Sequence, residues 1–278
     1  MIISFFQGGY LLLRLVIKMG GEIVENDPLL DHVIQEIAEL HMKNFEIIIV
    51  HGGGKTTSIL MEKMGLKPTF VKGLRVTDEE TLKFVIMTLR GLINSKLVSK
   101  LASKKVKTLG LSGVDTTTII AEKKKHEKNQ SLGLVGEVKK IDTRLIDLLL
   151  KEGIIPVFSP LCYSEKELIL NVNADEVAGA LSVALKPDIF IILTDTKGVL
   201  EDTEDEKSTI ENMDIKTAEN LILRGIASKG MIPKLKACIN ALKGGTKEAM
   251  IIQGTKQQNT LKEAIINKNI QGTKITKD

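Results

Sequence analysis

The chain has 278 residues, of which 43% are hydrophobic and 27% are charged, and its formal net charge at pH 7 is +4. This length can bury a large core as one α/β domain or as two lobes, and the composition is ordinary for a globular protein in water. The small net charge, the absence of tryptophan and the total of two tyrosines and seven phenylalanines argue against nucleic acid as a partner.

The cysteines and the first residues bear on where the protein works. Cys162 and Cys238 have no metal-binding spacing and allow at most one disulfide, so we expect reduced thiols in the cytoplasm. Residues 1–16 are apolar, but their only charge is Arg14, at the wrong end for a signal peptide. This segment is also too short to span a membrane, and we expect a leader ahead of the first strand.

Hydrophobic periodicity, together with glycine, proline and polar turn residues, divides the chain into alternating strands and helices. The predicted strands lie at 11–18, 46–50, 106–111, 135–138, 153–157, 168–173, 188–193, 249–252 and 272–275. The predicted helices lie at 27–43, 56–64, 143–151, 176–185, 215–225 and 233–242, with a long one that begins near Thr77. Because helices separate most of the strands, this order predicts a mainly parallel sheet covered on both faces.

The segment from 66 to about 101 has two features of its own. Residues 66–76 contain Pro68 and Gly73 and predict a hairpin. The long helix after it has acidic residues in its first turn and an apolar stripe at helical spacing, formed by Leu82, Val85, Ile86, Leu89, Ile93 and Leu97. The stripe fits a contact between two copies of the chain and packing on its own sheet equally well.

A run of three glycines follows the second predicted strand. Gly52-Gly53-Gly54 has no Cβ atoms, so its N–H groups can converge on an anion at this strand-to-helix turn. The following Lys55 and Thr56 resemble the end of a P-loop, but that motif needs a glycine where Ile49 stands. His51 is a candidate base, although its position at the end of a buried strand favours a structural role.

A second polar cluster ends the strand predicted at 168–173. Alternation places Asn171 and Asn173 on the same face, and Asp175 follows at the beginning of the next helix. Ligands of open α/β sheets bind beyond the carboxyl ends of the strands, so the cluster predicts part of a ligand site. The structural alternative is that Asp175 only caps the helix.

These features together suggest a class of chemistry. The chain contains no Ser-His-Asp order and no closely spaced pair of His or Cys ligands, but Lys18 and Lys234 lie at the ends of a predicted strand and helix. Lysines and glycine amides without a nucleophile fit phosphoryl transfer, in which positioning and charge neutralisation carry most of the catalysis. A carboxylate acceptor is ionised at pH 7 and needs no general base.

Seven short segments occur in a defined order along the chain. They are IKMGG (17–21), VHGGG (50–54), GLRVT (73–77), GLVGEV (133–138), NVNAD (171–175), LTDTKGV (193–199) and GMIPK (230–234). This set resembles the amino acid kinase family, and within it the branch that phosphorylates acetylglutamate, over about residues 15–276. The resemblance implies a three-layer αβα sandwich with a central, mainly parallel sheet. It also implies an N-terminal lobe, 1–174, for amino-acid substrate binding and dimerisation, and a C-terminal lobe, 175–278, for ATP binding.

The resemblance also implies an activity and a set of functional residues. The activity is ATP-dependent phosphorylation of the γ-carboxylate of N-acetyl-L-glutamate, the second step of arginine biosynthesis, with Mg²⁺ held mostly by the ATP phosphates. Lys18 and Lys234 would stabilise the transferring phosphoryl group, and Asp175 would orient both lysines. The implied substrate-binding residues are Gly53, Gly54, Arg75, Asn171 and Asn173. The implied nucleotide-binding residues are Gly20, Gly21, Asp195, Thr196, Lys197, Gly198, Val199, Leu200, Gly230 and Met231, and no residue is implied as a metal ligand.

The chain also departs from the family pattern. Thr116 and Lys229 stand where the family often has glycine. Arginine-inhibited members have a long N-terminal helix that joins dimers into a hexamer. Because only residues 1–14 precede the first strand and Gly8-Gly9 interrupts them, we expect a homodimer with little or no sensitivity to arginine.

Two other functions are compatible with the same residues. One is a related kinase for 2-aminoadipate or glutamate attached to a small acidic carrier protein, in lysine or arginine biosynthesis. The short stretch 72–75 and the segment GLVGEV favour free acetylglutamate over this alternative. The other is a nucleotide-binding regulator without activity, against which the presence of Lys18, Asp175 and Lys234 together argues.

Overall fold

The computed structural model describes residues 12–125, 131–202, 205, 208–228, 230–254 and 260–277. The strands are β1 (Arg14–Met19), β2 (Glu46–His51), β3 (Phe70–Val71), β4 (Leu74–Arg75), β5 (Thr108–Ser112), β6 (Ile119–Lys123), β7 (Gly136–Ile141), β8 (Ile155–Ser159), β9 (Leu161–Ser164), β10 (Leu168–Asn171), β11 (Ile189–Thr194), β12 (Asn212–Asp214), β13 (Glu248–Gln253) and β14 (Gly272–Thr276). The leader predicted ahead of the first strand lies mostly outside the described residues.

The helices alternate with these strands through most of the chain. They are α1 (Gly21–Glu25), α2 (Asp27–Met42), α3 (Gly54–Lys63), α4 (Glu79–Val85), α5 (Asn94–Ser103), α6 (Arg144–Lys151), α7 (Ala174–Leu185), α8 (Ile215–Leu223), α9 (Met231–Gly244) and α10 (Thr260–Lys262). A π-helical segment, Ile86–Ile93, joins α4 to α5, and a second one, Glu263–Asn267, follows α10. The short elements α1, β6, β9, β12 and α10 were not predicted, because a few residues carry too little periodicity.

One eight-stranded sheet forms the centre of the molecule. Its strand order is β12-β14-β13-β11-β1-β2-β8-β5, and among these strands only the β13–β14 pair is antiparallel. The prediction of a mainly parallel sheet is therefore confirmed. β1 lies between β2 and β11, where successive connections leave in opposite directions, and ligands of open α/β sheets bind at such a point. The strands of this sheet that precede residue 174 (β1, β2, β8 and β5) lie together on one side of the β1–β11 contact. The strands that follow residue 175 (β11 to β14) lie on the other side.

Each face of the sheet packs against its own helices. Leu15, Ile17 and Met19 share a core with α2 and the long helix formed by α4, Ile86–Ile93 and α5. Val16, between them, faces the core formed with α6, α7, α8 and α9. Because side chains alternate across a strand, Lys18 lies on the same face as Val16, towards α7.

The apolar stripe of the long helix packs on the sheet of its own chain. Val85, Leu89, Ile93 and Leu97 are all buried in the core with β1 and β2. The other side of the helix exposes Met87 and Leu92, half or more of whose surface is open to solvent. The stripe itself therefore follows the sheet-packing alternative, and a different face remains for a contact between copies.

Two smaller sheets complete the described part of the chain. A four-stranded sheet has the order β10-β9-β6-β7, and β3 and β4 form the hairpin predicted within 66–76. Thr116 adopts a φ of +50°, a conformation that glycine adopts more easily.

Candidate active site

Two glycine turns lie side by side at the carboxyl ends of β1 and β2. The N–H of Gly20 donates to the carbonyl oxygen of Leu193 at 3.0 Å, and the N–H of Gly52 donates to that of Met19 at 2.9 Å. In the part of the chain that the structure describes, the N–H groups of Gly21, Gly53 and Gly54 donate no hydrogen bond. The amide of Gly20, predicted to bind phosphate, is thus occupied, and three other amides are available to an anion.

Gly53 can be replaced by no other residue without a change in the packing. Its φ is +141°, and a Cβ atom there would lie 2.0 Å from Cδ1 of Ile93 on the long helix. The following helix α3 is anchored from outside, because the N–H and hydroxyl of Thr56 both donate to Oε1 of Glu25, at 2.6 and 2.7 Å. The position of the Gly53 and Gly54 amides is therefore set by neighbouring elements.

Lys18, Asp175 and Lys234 come together although they are distant in the sequence. Nζ of Lys18 lies 2.8 Å from Oδ1 of Asp175, and Nζ of Lys234 lies 3.7 Å from Oδ2. Lys18 and Asp175 are buried, and Lys234 also donates to the carbonyl oxygen of Gly230 at 3.1 Å. β1, α7 and α9 therefore place two ammonium groups on either side of one carboxylate.

The cap of α7 is Asn173 and not Asp175. Oδ1 of Asn173 accepts hydrogen bonds from the N–H groups of Asp175 at 2.8 Å and of Glu176 at 3.2 Å. This contact removes the structural alternative for Asp175, whose carboxylate faces the lysines instead. It also means that the side-chain oxygen of Asn173, predicted to bind substrate, already has two donors.

The charges of this cluster stabilise one another. Burial alone would raise the pKa of Asp175, but the positive charges of Lys18 and Lys234 outweigh burial and hold that pKa below its usual value. Burial lowers the pKa of Lys234, against the opposing effect of the Asp175 carboxylate. Two cations share one buried anion, so the cluster attracts a further negative group.

A cavity of about 240 Å³ opens beside the cluster, beneath the β3–β4 hairpin. The buried guanidinium of Arg75 lines it, stacks 4.7 Å above the ring of Phe70, and donates to the carbonyl oxygen of Gly54 and to Oγ of Ser58. Among the described residues no carboxylate pairs with Arg75. A buried cation without an anionic partner suggests that the anion comes with a ligand.

The polar strand end closes the same cavity. Asn171 lines it and donates from Nδ2 to Oγ1 of Thr77 at 3.1 Å. Sequence reasoning missed Thr77 and also Phe70, which lies directly opposite Arg75 in the hairpin. The cross-strand position of Phe70 could have been read from a two-residue hairpin turn, whereas the Asn171–Thr77 contact joins distant segments and has no local signal.

The predicted nucleotide loop, 195–200, leaves the carboxyl end of β11. Asp195 and Lys197 are exposed, while Val199 is buried and its N–H donates to Oγ1 of Thr273 at 2.8 Å. Met231, at the start of α9, is also part of the core. The side chains of Val199 and Met231 are therefore unavailable to a nucleotide, which leaves only their backbone.

The lysine that follows the three glycines is separated from the cavity. Lys55 is exposed, and it does not line the cavity, in agreement with the rejection of a P-loop. Lys229 lies outside the described residues. Cys162 and Cys238 are free and buried, as expected of reduced thiols, and burial raises the pKa of both. Within the described ranges, no helix is both long and apolar enough to cross a membrane.

The chain belongs to the amino acid kinase family, whose sequence profile matches residues 13–253. More particularly, it is 44% identical to an acetylglutamate kinase of Methanopyrus kandleri, over 85% of this chain and 93% of that protein. It is 40% identical to an acetylglutamate kinase of Archaeoglobus fulgidus, over 92% of this chain and 91% of that protein. The family and the branch predicted from the sequence are therefore confirmed.

A solved structure shows the same fold. N-acetylglutamate synthase from Neisseria gonorrhoeae superposes with a TM-score of 0.84 and 22% identity, over 96% of this chain and 60% of that one. At this level of identity the likeness concerns the fold alone. Together with the eight-stranded sheet, it confirms the predicted three-layer αβα architecture.

Proposed function

We propose that the protein transfers the γ-phosphoryl group of ATP to the γ-carboxylate of N-acetyl-L-glutamate, the second step of arginine biosynthesis. The observation that carries this proposal is the Lys18–Asp175–Lys234 cluster beside a cavity lined by Arg75, whose cation pairs with no carboxylate of the described residues. The names of the relatives, acetylglutamate kinases at 40% identity or more, supply the substrate. The products are N-acetyl-L-glutamyl 5-phosphate and ADP.

The cavity suits a small dicarboxylate. Its volume of about 240 Å³ is below the roughly 300–1,000 Å³ of sites for drug-sized ligands. Arg75 would pair with the α-carboxylate, because its planar fork matches a carboxylate with two parallel hydrogen bonds. Asn171 would bind the same molecule from the opposite wall. The γ-carboxylate would then extend towards Lys18 and the amides of Gly53 and Gly54.

The phosphoryl group would be transferred between the two lysines. An oxygen of the γ-carboxylate attacks the γ-phosphorus while the bond to the leaving oxygen of ADP breaks, and no proton moves because the carboxylate is ionised at pH 7. Lys18, Lys234 and the N–H groups of Gly21 and Gly53 would stabilise the negative charge on the phosphoryl oxygens. Asp175 would hold both lysines in place.

The nucleotide would lie across the exposed loop 195–200 and the turn at 228–234. Burial lowers the pKa of Lys234, and the Asp195 carboxylate is close enough to oppose that lowering, so the loop and the lysine share one region. Mg²⁺ would arrive with ATP and be held by phosphate oxygens and water. Among the described residues no three His, Cys, Asp or Glu side chains gather in a metal-binding group, and the Asp175 carboxylate is paired with Lys18 and Lys234.

The oligomeric state and the roles of the two lobes are also proposed. We propose a cytoplasmic homodimer, with substrate binding and dimerisation in 1–174 and ATP binding in 175–278. The exposed side chains of Met87 and Leu92 on the long helix support a contact between copies, and the free thiols suit a reducing compartment. Light scattering coupled to size exclusion gives the mass, and a monomer or a hexamer would contradict a dimer.

The activity is tested by trapping the acyl phosphate with hydroxylamine. The protein is incubated with N-acetyl-L-glutamate, ATP and Mg²⁺, and both the hydroxamate and ADP are measured. Free glutamate and glutamate linked through its amine to an acidic carrier protein serve as parallel substrates. We expect product from N-acetyl-L-glutamate, and product only from the carrier-linked substrate would replace the proposal with that alternative. No observation on the described residues favours the carrier-linked substrate.

A further inference from the structure

His51, the last residue of β2, is fully buried and does not line the cavity. Its ring nevertheless contacts the glycine turn. Nδ1 lies 3.0 Å from the carbonyl oxygen of Gly52, and Nε2 lies 3.1 Å from Nδ2 of Asn94. Both nitrogens of the imidazole therefore have a partner, and the ring is held in one orientation.

The other contacts of Asn94 determine which nitrogen of His51 carries the proton. Nδ2 of Asn94 lies 2.9 Å from the carbonyl oxygen of Val157, which can only accept, and Oδ1 accepts from Nη1 of Arg90 at 3.2 Å. The amide nitrogen is thus the donor to Nε2 of His51. The proton of the neutral ring must then lie on Nδ1, which donates it to the carbonyl oxygen of Gly52.

The neutral form persists at physiological pH. Burial lowers the pKa of His51 to about 4, so the ring is uncharged near pH 7. A second proton would also have to displace the donor that Asn94 directs at Nε2. His51 therefore does not exchange protons with a substrate, and its contribution is geometric.

The hydrogen bond to Gly52 fixes the direction of the next amide. A trans peptide is planar, and its C=O and N–H point in opposite directions. Holding the carbonyl of Gly52 against the ring therefore turns the N–H of Gly53 away from it. Three successive glycines have more backbone freedom than any other tripeptide, so this contact restricts a rotation that the sequence leaves open.

We infer that His51 is a positioning residue that aims the Gly53 amide at the transferring phosphoryl group. The inference rests on the proposed function, which places that amide beside the phosphoryl oxygens, and it adds a residue that touches neither substrate. Asn94 links the ring to β8 through Val157, so the glycine turn is fixed to the rigid sheet.

A pair of variants of nearly equal shape separates this role from packing. His51→Leu removes both ring nitrogens, whereas His51→Asn keeps an N–H donor at the position of Nδ1. We expect His51→Leu to lower kcat about 10- to 100-fold, with the KM for ATP changed by about twofold or less. His51→Asn should recover most of the loss. His41→Leu, which removes a partly buried histidine on α2 outside the site, is the matched control and should retain kcat.

Equal losses in His51→Leu and His51→Asn, or no loss in either, would overturn the inference. Thermal unfolding of each variant shows whether it is folded. Should His51→Leu fail to fold, ¹⁵N-histidine NMR on the wild-type protein decides: we expect a neutral ring protonated on Nδ1 between about pH 5.5 and pH 8. A proton on Nε2, or titration near the usual pKa, would refute it. Wild-type protein that forms no acyl phosphate would refute the proposed function, and the NMR result does not depend on that assay.

Discussion

The two sides of the candidate site are built differently. On the proposed substrate side, side chains are fixed by other side chains and by backbone: Arg75 by Gly54 and Ser58, and Asn171 by Thr77. On the proposed nucleotide side, Asp195 and Lys197 are exposed, and the loop is anchored mainly through its backbone, as at Val199. The difference suggests that selection of the amino acid depends on preorganised side chains, and that the nucleotide is bound mostly by main-chain shape.

The largest expected effect on kcat comes from removing the two lysines that lie between the two sides. Lys18→Ala and Lys234→Ala should each lower kcat about 10²- to 10³-fold, because each takes away a preorganised cation worth about 3–4 kcal/mol in the transition state. The KM values for both substrates should change much less. A coupled assay for ADP measures the rates, and near-full turnover by either variant would contradict the mechanism.

Arg75→Ala tests the substrate side by itself. The loss of hydrogen bonds to a charged ligand group, worth about 1.5–3 kcal/mol, should raise the KM for N-acetyl-L-glutamate by up to about 100-fold. The KM for ATP should stay near the wild-type value. Lys197→Ala is the matched control on the other side and should affect ATP alone. Parallel changes of both KM values in either variant would break the distinction between the two sides.

The stability of the fold that carries both sides is expected to depend on pH through Glu36 on α2. Burial raises the pKa of Glu36 from 4.5 to about 7, against the hydrogen bond that its Oε1 accepts from the N–H of Lys262 at 3.1 Å. The folded state thus binds this proton more tightly than the unfolded state. The stabilisation is fully present below pH 4.5 and is lost as the pH rises through 7.

The measurement compares the wild-type protein with Glu36→Gln. The free energy of unfolding of the wild type should fall by about 2 kcal/mol relative to the variant between pH 5 and pH 7. Urea unfolding at several pH values gives these free energies. Parallel curves for the two proteins would show that Glu36 does not titrate in this range. The kcat of the variant at pH 7 should match that of the wild type. This result would show that Glu36 affects the stability of the fold and not the activity of the site.

The smallest expected effect concerns the lysine that follows the three glycines. Lys55→Ala should change kcat and both KM values by less than about twofold, because Lys55 is exposed and lies outside the cavity. Steady-state kinetics beside Lys18→Ala provide the contrast. A loss comparable to that of Lys18→Ala would restore the P-loop interpretation of this stretch.

Much of the fold could be predicted, because its signals are local. The buried strands β1, β2, β8 and β11 are continuous apolar runs, and glycines mark the turns that follow β1 and β2. Boundaries moved by one to three residues, and elements as short as β12 escaped. Lys18, Asp175 and Lys234 were identified because family motifs carry them, and the structure brings the three together.

The sequence alone was therefore enough to predict the αβα architecture, the family and the three charged residues, Lys18, Asp175 and Lys234, that the fold brings together. The tertiary structure decided how individual polar atoms are used. It occupied the amide of Gly20 with Leu193, assigned the cap of α7 to Asn173, and buried Val199 against β14. It also joined His51 to Asn94 across 43 positions. Periodicity and backbone sterics act over a few residues, whereas a hydrogen-bond partner depends on which distant segments pack together.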